Sequence, residues 1–453
     1  MFSSSIQNVL NAPGVSDAFV LAVLLDSATT SIDRTHFTDI RKLPGGHRLT
    51  VTTEHERVER YWYPDRVPAV RFARDEDYAA AAREILSTAV RDRLPEQHVT
   101  GVHLSGGLDS STVAVLAARE QRARRGTLPV AFSWKPSPSP DTTSSEAHRC
   151  IDAVARQEGL AVHHCPPVAG DVFDILRMDP ARVPTTPTML IEATTQRCAA
   201  AHGVRFMLSG FGGDEGLSSY GAGYRAELLL RGRWSTLYRH CRARGERPWR
   251  SMMIEALLSL FPDRYSAVRR LTNQSRESRL RATPWVRPDT ILRRHRLRTP
   301  PFRHTSVRAT FIRWWNSGGL AERMESWCAH GAPHGLTYAY PLADRRLLEF
   351  LIAIPAEQFA RGPSPRSFMR RVASGILPPE FDSVPDKLVA TSEWQTVARE
   401  ALRQVGVRLR SAGTPARARY VDVAKLAPHL APEALERDVR LGRLLRTAQF
   451  LDF

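Results

Sequence analysis

The chain has 453 residues, 42% of them hydrophobic and 25% charged, which is enough to bury a large core in more than one domain. Its formal net charge of +17 is carried almost wholly by arginine, since only four lysines occur. A basic surface attracts nucleotides, acidic peptides or nucleic acid, but no RRM, KH, zinc-finger or helix-turn-helix pattern is present, so we do not expect a nucleic-acid partner. The five scattered cysteines contain no CxxC pair, which argues against a disulfide framework and a zinc site. No apolar run suits a signal peptide or a membrane span, so we expect a cytoplasmic protein without a membrane partner.

The first 63 residues predict short strands and turns. Pro44-Gly45-Gly46 predicts a tight turn between Ile40 and the alternating stretch Arg48–Val51. A helix is predicted to begin near Asp75–Asp77 and to run to about Arg93.

From Val99 onward, short apolar runs alternate with helical patterns. The predicted strands are Val99–Leu104, Leu128–Trp134, Leu160–Cys165 and Val204–Ser209. The predicted helices are Ser110–Arg124, a helix opened by the capping box Thr143-Ser144-Ser145-Glu146 and ended by Gly159, and Met189–His202. Such alternation predicts an α/β fold with a parallel sheet and helices on both faces, in which ligands bind at the carboxyl ends of the strands.

Residues 221–330 predict a helical, arginine-rich region. It contains Trp234, Trp249, Trp285, Trp314 and Trp315. Two interpretations stay open: a wall that holds a substrate, or a helical lid whose tryptophans pack inside. Further on, residues 361–365 predict a loop, Arg408–Arg419 a basic, mobile segment, and the chain after Val439 a final helix.

One glycine-rich motif joins the first of these strands to its helix: Leu104-Ser105-Gly106-Gly107-Leu108-Asp109-Ser110-Ser111. Glycines let backbone N–H groups point at an anion, and a helix amino end adds partial positive charge. Ser105 and Ser110 can donate hydrogen bonds to phosphate oxygens. Asp109 would repel phosphate, so Mg²⁺ is its natural partner. The alternative is a glycine turn without function.

This motif resembles the pyrophosphate loop of the PP-loop ATP pyrophosphatases, which have a HUP-like fold. The resemblance implies that ATP is cut between its α- and β-phosphates, that AMP is placed on a carboxylate and that pyrophosphate leaves. It also implies ATP binding by Leu104, Ser105, Gly106, Gly107, Asp109, Ser110, Ser111 and, at the end of the next strand, Ser133.

A second motif follows the fourth predicted strand: Ser209-Gly210-Phe211-Gly212-Gly213-Asp214-Glu215. It resembles the S-G-x-G-x-D-E motif of asparagine synthetases and β-lactam synthetases. The resemblance implies that Gly210, Phe211 and Gly212 contact ATP and that Asp214 holds Mg²⁺ together with Asp109. The alternative for Asp214 is a helix N-cap.

Two later segments resemble the same family. Tyr340–Phe350 resembles a structural segment in which Asp344 caps a helix. The run from Arg361 to Lys387 resembles the family's R-G…K…R…K pattern, which implies that Lys387 contacts the phosphates and is catalytic. The alternative for Lys387 is a solvated surface lysine. Arg366 and Arg370 are equally compatible with phosphate binding and with ordinary surface positions.

The amino-terminal segment, residues 1–66, resembles the last third of a glutaminase domain through Phe2-Ser3-Ser4, Pro13-Gly14, Ile40–Val51 and Arg60-Tyr61-Trp62. The family's glutaminase nucleophile is a cysteine at position 2, where this chain has Phe2, so we expect no glutamine hydrolysis. Met1 falls inside an expected strand, which predicts an upstream start. Residues 67–453 are then the ligase domain.

Phe211 decides between the branches of the family. Asparagine synthetases have glutamate at this position and β-lactam synthetases have a proton-accepting tyrosine, and phenylalanine replaces neither. The chain is most similar to lasso-peptide macrolactam cyclases, which join a peptide's N-terminal amine to an Asp or Glu side chain. That resemblance implies Mg-ATP, a peptide substrate, a leader-peptide-binding protein and a leader protease. The alternatives are an asparagine synthase acting on an amino acid, and a non-catalytic protein that binds through its basic surface.

Overall fold

The structure is a computed structural model of the chain. It describes residues 32–138, 145–178, 188–260, 283–287, 305–361, 364–384, 392–411, 420–437 and 440–449, with single positions 16, 20, 24, 186 and 451. Several predictions fall on residues outside these ranges, namely Phe2–Ser4, Pro13-Gly14, Thr143-Ser144, Gly362 and Lys387.

The strands form two sheets. Their bounds are β1 His47–Val51, β2 Glu56–Arg60, β3 Val99–His103, β4 Val130–Ser133, β5 Val162–His164, β6 Val204–Leu208 and β7 Thr337–Ala339. β1 and β2 pair antiparallel, with His47 opposite Arg60. The other five strands form a parallel sheet in the order β5-β4-β3-β6-β7. The predicted α/β fold with a parallel sheet is therefore confirmed.

The first helices confirm the predicted strand–helix alternation. Their bounds are α1 Asp75–Arg91, α2 Leu108–Arg125, α3 Glu146–Glu158, α4 Ala169–Leu176 and α5 Met189–Ala201. α3 begins where Ser145 accepts a hydrogen bond from the His148 N–H, and it ends at Gly159 with φ 68°. The predicted end at Gly159 is confirmed, but the N-cap is Ser145 and Glu146 is the first helical residue, so the predicted capping box, with Glu146 in the third helical position, is wrong.

The second half of the described chain is mainly helical. Its α-helices are α6 Tyr224–Leu230, α7 Trp234–Ala243, α8 Pro248–Leu260, α9 Val307–Trp315, α10 Gly319–Gly331, α11 Arg345–Ala353, α12 Glu357–Ala360, α13 Ser367–Ala373, α14 Ser392–Ser411, α15 Val423–Leu426, α16 Pro432–Arg437 and α17 Leu441–Ala448. Asp344 caps α11 by accepting the Arg346 N–H at 2.9 Å, as predicted. Arg408–Ser411 belong to α14, so the first part of the predicted mobile segment 408–419 is helical, and residues 412–419 lie outside the described ranges.

β7 is an edge strand that the sequence did not predict. It has only three residues and follows a long helical stretch, so no alternating pattern develops. The strand is defined by its partner, because Phe206 to Leu208 of β6 pair with Thr337 to Ala339. Its position places Tyr340, the residue after it, beside the end of β6.

The core lies on both faces of the parallel sheet. Val102 and Leu208 point to a cluster built with α1, α2, α3, α11 and α13, whereas Met207 and Phe132 point to a cluster built with α4, α5, α10 and α14. Successive strand residues face opposite sides of a sheet, so β4, β6 and β7 each contribute to both clusters. The two faces bring different helices to the carboxyl edge.

The tryptophans of region 221–330 divide between both interpretations. Trp285 is fully buried, and Trp315 stacks on Phe311 with ring centroids 5.5 Å apart. Trp234 and Trp249 are 62% and 74% exposed. Neither predicted interpretation alone describes this region. Separately, none of the helices in the described ranges has the length and apolar character needed to cross a membrane.

Candidate functional site

The turn between β3 and α2 is built on glycine. Gly106 has φ +77°, in the left-handed region, and a Cβ there would lie 2.5 Å from the carbonyl oxygen of Ala147 in α3. Gly107 caps α2 without a side-chain hydrogen bond. The loop therefore lies directly against α3, at the amino end of an 18-residue helix whose N-cap residue makes no side-chain cap hydrogen bond.

Two serine side chains hold the loop in shape. The Ser105 and Ser110 hydroxyl oxygens are 2.8 Å apart, and the Ser105 N–H donates to Ser110 Oγ at 3.2 Å. The Gly107 N–H donates to Ser105 Oγ at 3.4 Å. One of these hydroxyls donates to the other, so in this arrangement one hydroxyl hydrogen of the pair remains to be donated to an anion.

Three of the predicted nucleotide-binding residues have buried side chains. Leu104, Ser111 and Ser133 are each fully buried. The Leu104 N–H donates to the Phe132 carbonyl at 2.8 Å, and Ser133 Oγ accepts the Lys135 N–H at 3.2 Å. These contacts hold the residues that underlie the loop in place. Direct contact between these residues and the nucleotide stays a prediction.

The second glycine motif packs against the first. A Cβ on Gly210 would lie 2.5 Å from the Ser110 nitrogen and 2.6 Å from its Cα, and the Asp109 carboxylate lies against Gly213. Asp214 lies in a turn and not at a helix start, because α6 is capped by Gly223. The N-cap alternative for Asp214 is therefore wrong, and the two motifs form one site at the carboxyl edge of β3 and β6.

Gly210→Ala is expected to lower activity strongly, because its Cβ would overlap backbone atoms of α2 that cannot rotate away. A loss of about 1–3 kcal/mol in the free energy of unfolding is expected as well. Thermal melts and an AMP-release assay measure both effects. Gly170→Ala in α4 is the matched control, since nothing lies within 4 Å of its Cβ and it should be neutral or slightly stabilising.

Arg366 bridges the two acidic residues. Its Nη2 lies 2.5 Å from Asp214 Oδ1, its Nη1 lies 3.7 Å from Asp109 Oδ2, and its Nε donates to the Tyr220 hydroxyl at 3.3 Å. The side chain is only 5% exposed. The backbone has φ 57°, the only non-glycine residue in the described part of the chain with positive φ. A non-glycine residue held in this region points to a structural demand on its position.

Arg370 has a different role. Its guanidinium donates to the carbonyl oxygens of Pro365 at 3.2 Å and Phe381 at 3.0 Å, and also to that of Val384. It is therefore neither an ordinary surface residue nor a free phosphate ligand, because its donors tie α13 to the segment before residue 385. Lys387, which follows that segment, lies outside the described residues, and its role stays a prediction.

Asp109 is the electrostatic centre of the site. Burial and the charge of Asp214 raise its pKa to about 7, although the Ser218 hydroxyl and Arg366 lower it. Ser218 Oγ donates directly to Asp109 Oδ1. Burial is the largest cause of the raised pKa and the charge of Asp214 adds to it, so a cation bound here would favour the ionised carboxylate.

The donor set suits Mg²⁺ bound together with phosphate. Asp109 and Asp214 offer hard carboxylate oxygens and are 16% and 34% exposed, so both remain accessible at the edge of the sheet. No group of three or more His, Cys, Asp or Glu in the described ranges could hold a metal by itself. Mg²⁺ commonly binds through one or two carboxylates and completes its shell with phosphate and water. The residues therefore fit the predicted ion.

Phe211 gives the site an apolar wall. Its ring packs edge-on against Tyr340 with centroids 5.9 Å apart. A phenyl ring has no proton acceptor, so position 211 supplies no acid or base. Burial strongly raises the pKa of the Tyr340 hydroxyl, so that neighbour does not replace the missing base.

Sequence reasoning missed two residues of this site, Ser218 and Tyr220, and it left Arg366 equally compatible with phosphate binding and with a surface position. Ser218 and Tyr220 follow the second motif within six residues of Asp214, so their proximity along the chain was an available signal. Arg366 had no such signal, because it lies among similar arginines 152 residues from Asp214.

Residues 81–447 match the family model described as asparagine synthase. The chain is 41% identical over 81 residues to asparagine synthetase [glutamine-hydrolyzing] 1 of Saccharomyces cerevisiae, covering 18% of this chain and 14% of the yeast protein. It is 31% identical over 109 residues to amidase chyE of Penicillium rubens, covering 23% of this chain and 16% of that protein. The chain thus matches less than a fifth of the length of either relative, 14% and 16%.

Proposed function

This chain belongs to the asparagine synthase family, and we propose that it is an ATP-dependent amide-forming ligase that adenylates a carboxylate, releases pyrophosphate and passes the acyl group to an amine. We propose further that the product is a lasso-peptide macrolactam. One observation carries the ligase proposal: Asp109 and Asp214 from two glycine motifs meet under the buried Arg366 at the carboxyl edge of the sheet. This arrangement suits Mg-ATP and an in-line attack at the α-phosphate.

Each residue in the site has a distinct part in the proposed reaction. The N–H groups of the Gly106-Gly107 turn and the hydroxyls of Ser105 and Ser110 bind phosphate oxygens. Asp109 and Asp214 would hold Mg²⁺, which neutralises charge on the phosphates. Arg366, which lies between the two carboxylates, would stabilise the leaving pyrophosphate. Lys387 is proposed to act with it on the same charge.

The amine that attacks is proposed to be an α-amine. An α-amino group has a pKa of about 8, so a useful fraction is neutral at physiological pH without a strong base. Because Phe211 provides no base, the site fits an N-terminal amine better than a more basic nucleophile. A peptide whose N-terminus reaches its own Asp or Glu side chain satisfies this requirement, and no glutamine-derived ammonia is needed.

A peptide substrate also fits the surface around α7 and α8. Trp234 and Trp249 are exposed, and Tyr238 packs on Trp249 with ring centroids 5.3 Å apart. Exposed aromatic side chains supply contact area for a peptide at low entropic cost. In this proposal a leader-peptide-binding protein and a leader protease deliver the core peptide.

An asparagine synthase acting on free aspartate and ammonia is the second candidate. The 41% identity to yeast asparagine synthetase favours it. Phe211 argues against it, because the resemblance expects glutamate at this position. The two candidates share the adenylation step and differ in the acyl substrate and the amine.

Release of AMP and pyrophosphate from Mg-ATP tests both candidates. One reaction contains aspartate and ammonium, and another contains a core peptide with an N-terminal Gly and an internal Asp, supplied with the leader-binding protein and protease. We expect AMP in the peptide reaction together with a product lighter by one water. AMP with asparagine in the first reaction overturns the cyclase proposal, and AMP in neither overturns the ligase proposal.

Mg-ATP binding is expected to tighten as pH rises through about 7. Asp109 has a pKa raised to about 7, so below that pH its carboxylate is increasingly protonated and competes poorly for a cation. Titration of the nucleotide dissociation constant between pH 5.5 and 8.5 measures this dependence. A constant that does not change across pH 7, or that weakens with rising pH, would contradict the role of Asp109.

A further inference from the structure

A second, half-buried arginine lies beside the site on the other face of the sheet. Arg323 of α10 places its guanidinium carbon 4.0 Å from the ring centroid of Phe211 and 4.9 Å from that of Trp327. Cations over aromatic faces are attracted by the ring quadrupole and are held in a fixed plane. Phe211 follows Gly210 directly, so the stack fixes Arg323 next to the second glycine motif.

One donor of Arg323 is buried without a partner. Its Nε has no hydrogen-bond acceptor among the described residues. The indole N–H of Trp327, over which it lies, is also buried without an acceptor. Burial lowers the pKa of Arg323, although the more distant charges of Glu215, Glu192 and Asp214 partly offset this.

These observations favour an anionic partner for Arg323. Buried donors in proteins are nearly always satisfied, and the Arg323 Nε and the Trp327 indole N–H are both buried donors without an acceptor. The guanidinium presents a planar fork that matches a carboxylate in a bidentate contact. A group that carries negative charge and accepts hydrogen bonds would therefore suit this guanidinium.

The position of Arg323 separates it from the phosphate-binding residues. Arg366 comes from α13, which packs in the cluster on the face of α2. Arg323 comes from α10, which packs in the cluster on the opposite face with Phe211. The glycine loop, Asp109 and Arg366 already account for the nucleotide phosphates, so a different anion is expected on the side of Phe211.

We propose that Arg323 binds the carboxylate of the acyl substrate and presents it to the nucleotide before adenylation. This inference rests on the proposed ligase function and adds to it the residue that selects the acid. Phe211 then has two parts: it forms the apolar wall of the acyl subsite and it holds the guanidinium in its plane. Arg323 is a specificity-determining residue in this scheme, because an uncharged amide in place of the acid would lose the bidentate contact.

Peptide binding to matched variants tests the proposal. The probes are the core peptide with an internal Asp and the same peptide with Asn, each titrated with Mg²⁺ and α,β-methylene-ATP, which cannot be cleaved at the reacting bond. For wild type we expect the Asp peptide to bind about 10- to 100-fold more tightly than the Asn peptide. Arg323→Gln should remove that preference, weaken only the Asp peptide, and leave the Mg-ATP dissociation constant within about twofold.

Two further variants separate recognition from structure. Arg323→Lys keeps the charge but loses the planar stack, so an intermediate preference for the Asp peptide is expected, and it replaces the Gln variant if that one does not fold. Arg231→Gln is the control, because Arg231 is 64% exposed and pairs with Glu227 on the surface of α6 and its end. It should leave both peptide constants unchanged.

The outcomes distinguish this inference from the proposed function. Wild-type constants in both Arg323 variants, or failure of the wild-type protein to prefer Asp over Asn, overturn the inference even if AMP is released. Loss of Mg-ATP binding in Arg323→Gln with an unchanged peptide preference also overturns it, since Arg323 would then be a phosphate ligand. An Arg323-dependent preference without AMP formation supports the subsite and overturns the ligase proposal instead.

Discussion

Replacement of Asp109 by Asn is expected to lower AMP formation by about 10³-fold or more, because a neutral amide cannot hold Mg²⁺ against the triphosphate. The side-chain size and the hydrogen bond from Ser218 Oγ are largely preserved, so the loss reports charge and not shape. Steady-state kinetics with saturating Mg-ATP measure the change.

The same substitution is expected to stabilise the nucleotide-free protein. Asp109 has a folded-state pKa raised from 3.8 to about 7, so the folded form keeps a proton that the unfolded form has lost between about pH 4 and pH 7. The stability that this proton preserves is lost as pH rises through that window. Asn cannot ionise, so the variant should melt about 2 °C or more above wild type at pH 8, and the difference should shrink toward pH 5.

Asp152→Asn is the matched control for both measurements. Asp152 is exposed on α3 and only its backbone carbonyl accepts a hydrogen bond, from Arg156 at 3.3 Å. Activity and melting temperature should not change. A lower melting temperature for Asp109→Asn at pH 8 would mean that the contacts with Ser218 and Arg366 outweigh burial and repulsion, and retained activity would remove Asp109 from the proposed chemistry.

Replacement of Arg366 by Ala is expected to lower AMP formation by about 100-fold or more and to destabilise the protein at pH 8. Arg366 joins Asp109 and Asp214, and its removal takes the bridging cation from a buried carboxylate and a half-exposed one. Removing one partner of a buried ion pair costs about 3–5 kcal/mol. The pKa of Asp109 should rise further, so the pH at which Mg-ATP binding becomes tight should move above 7.

Two comparisons make this result specific. Arg231→Ala removes an arginine from an exposed pair with Glu227 at 2.9 Å, and it should change stability by less than about 1 kcal/mol. Arg366→Lys keeps the charge but not the fork, so its activity should lie between Ala and wild type. Full activity in Arg366→Ala, with an unchanged pH dependence, would assign Arg366 a purely structural role.

Local patterns predicted much of the sheet region. The capping residue Ser145 and the terminal Gly159 set the ends of α3 within the chain itself. The alternation of apolar runs and helices predicted β3, β4, β5 and β6, because these signals lie within windows of a few residues. β7 was not predicted, because three residues show no periodicity and their strand conformation depends on pairing with β6.

The candidate site was likewise only partly predictable from the sequence. The Ser105–Ser111 motif and the Ser209–Glu215 motif were visible as sequence, since each is a contiguous turn whose glycines have a local backbone purpose. Arg366 and Arg370 could not be separated by sequence, although one bridges the acidic pair and the other ties backbone carbonyls. Both arginines belong to the same short helix, α13, or its N-cap. Only tertiary packing decides which partners each side chain contacts.

The sequence by itself therefore determined the α/β alternation, the glycine-rich anion loop and the pair of acidic residues expected at one sheet edge, because each depends on neighbours along the chain or on strand order. The tertiary structure alone decided the charge balance of that edge. Burial and the nearby charge of Asp214 raised the pKa of Asp109, and packing placed Arg366 as the counter-ion. The stacking of Arg323 on Phe211 placed a second cation at the opposite face. Electrostatic interactions depend on distance and desolvation in space, and these quantities are set only when helices far apart in sequence pack around the sheet.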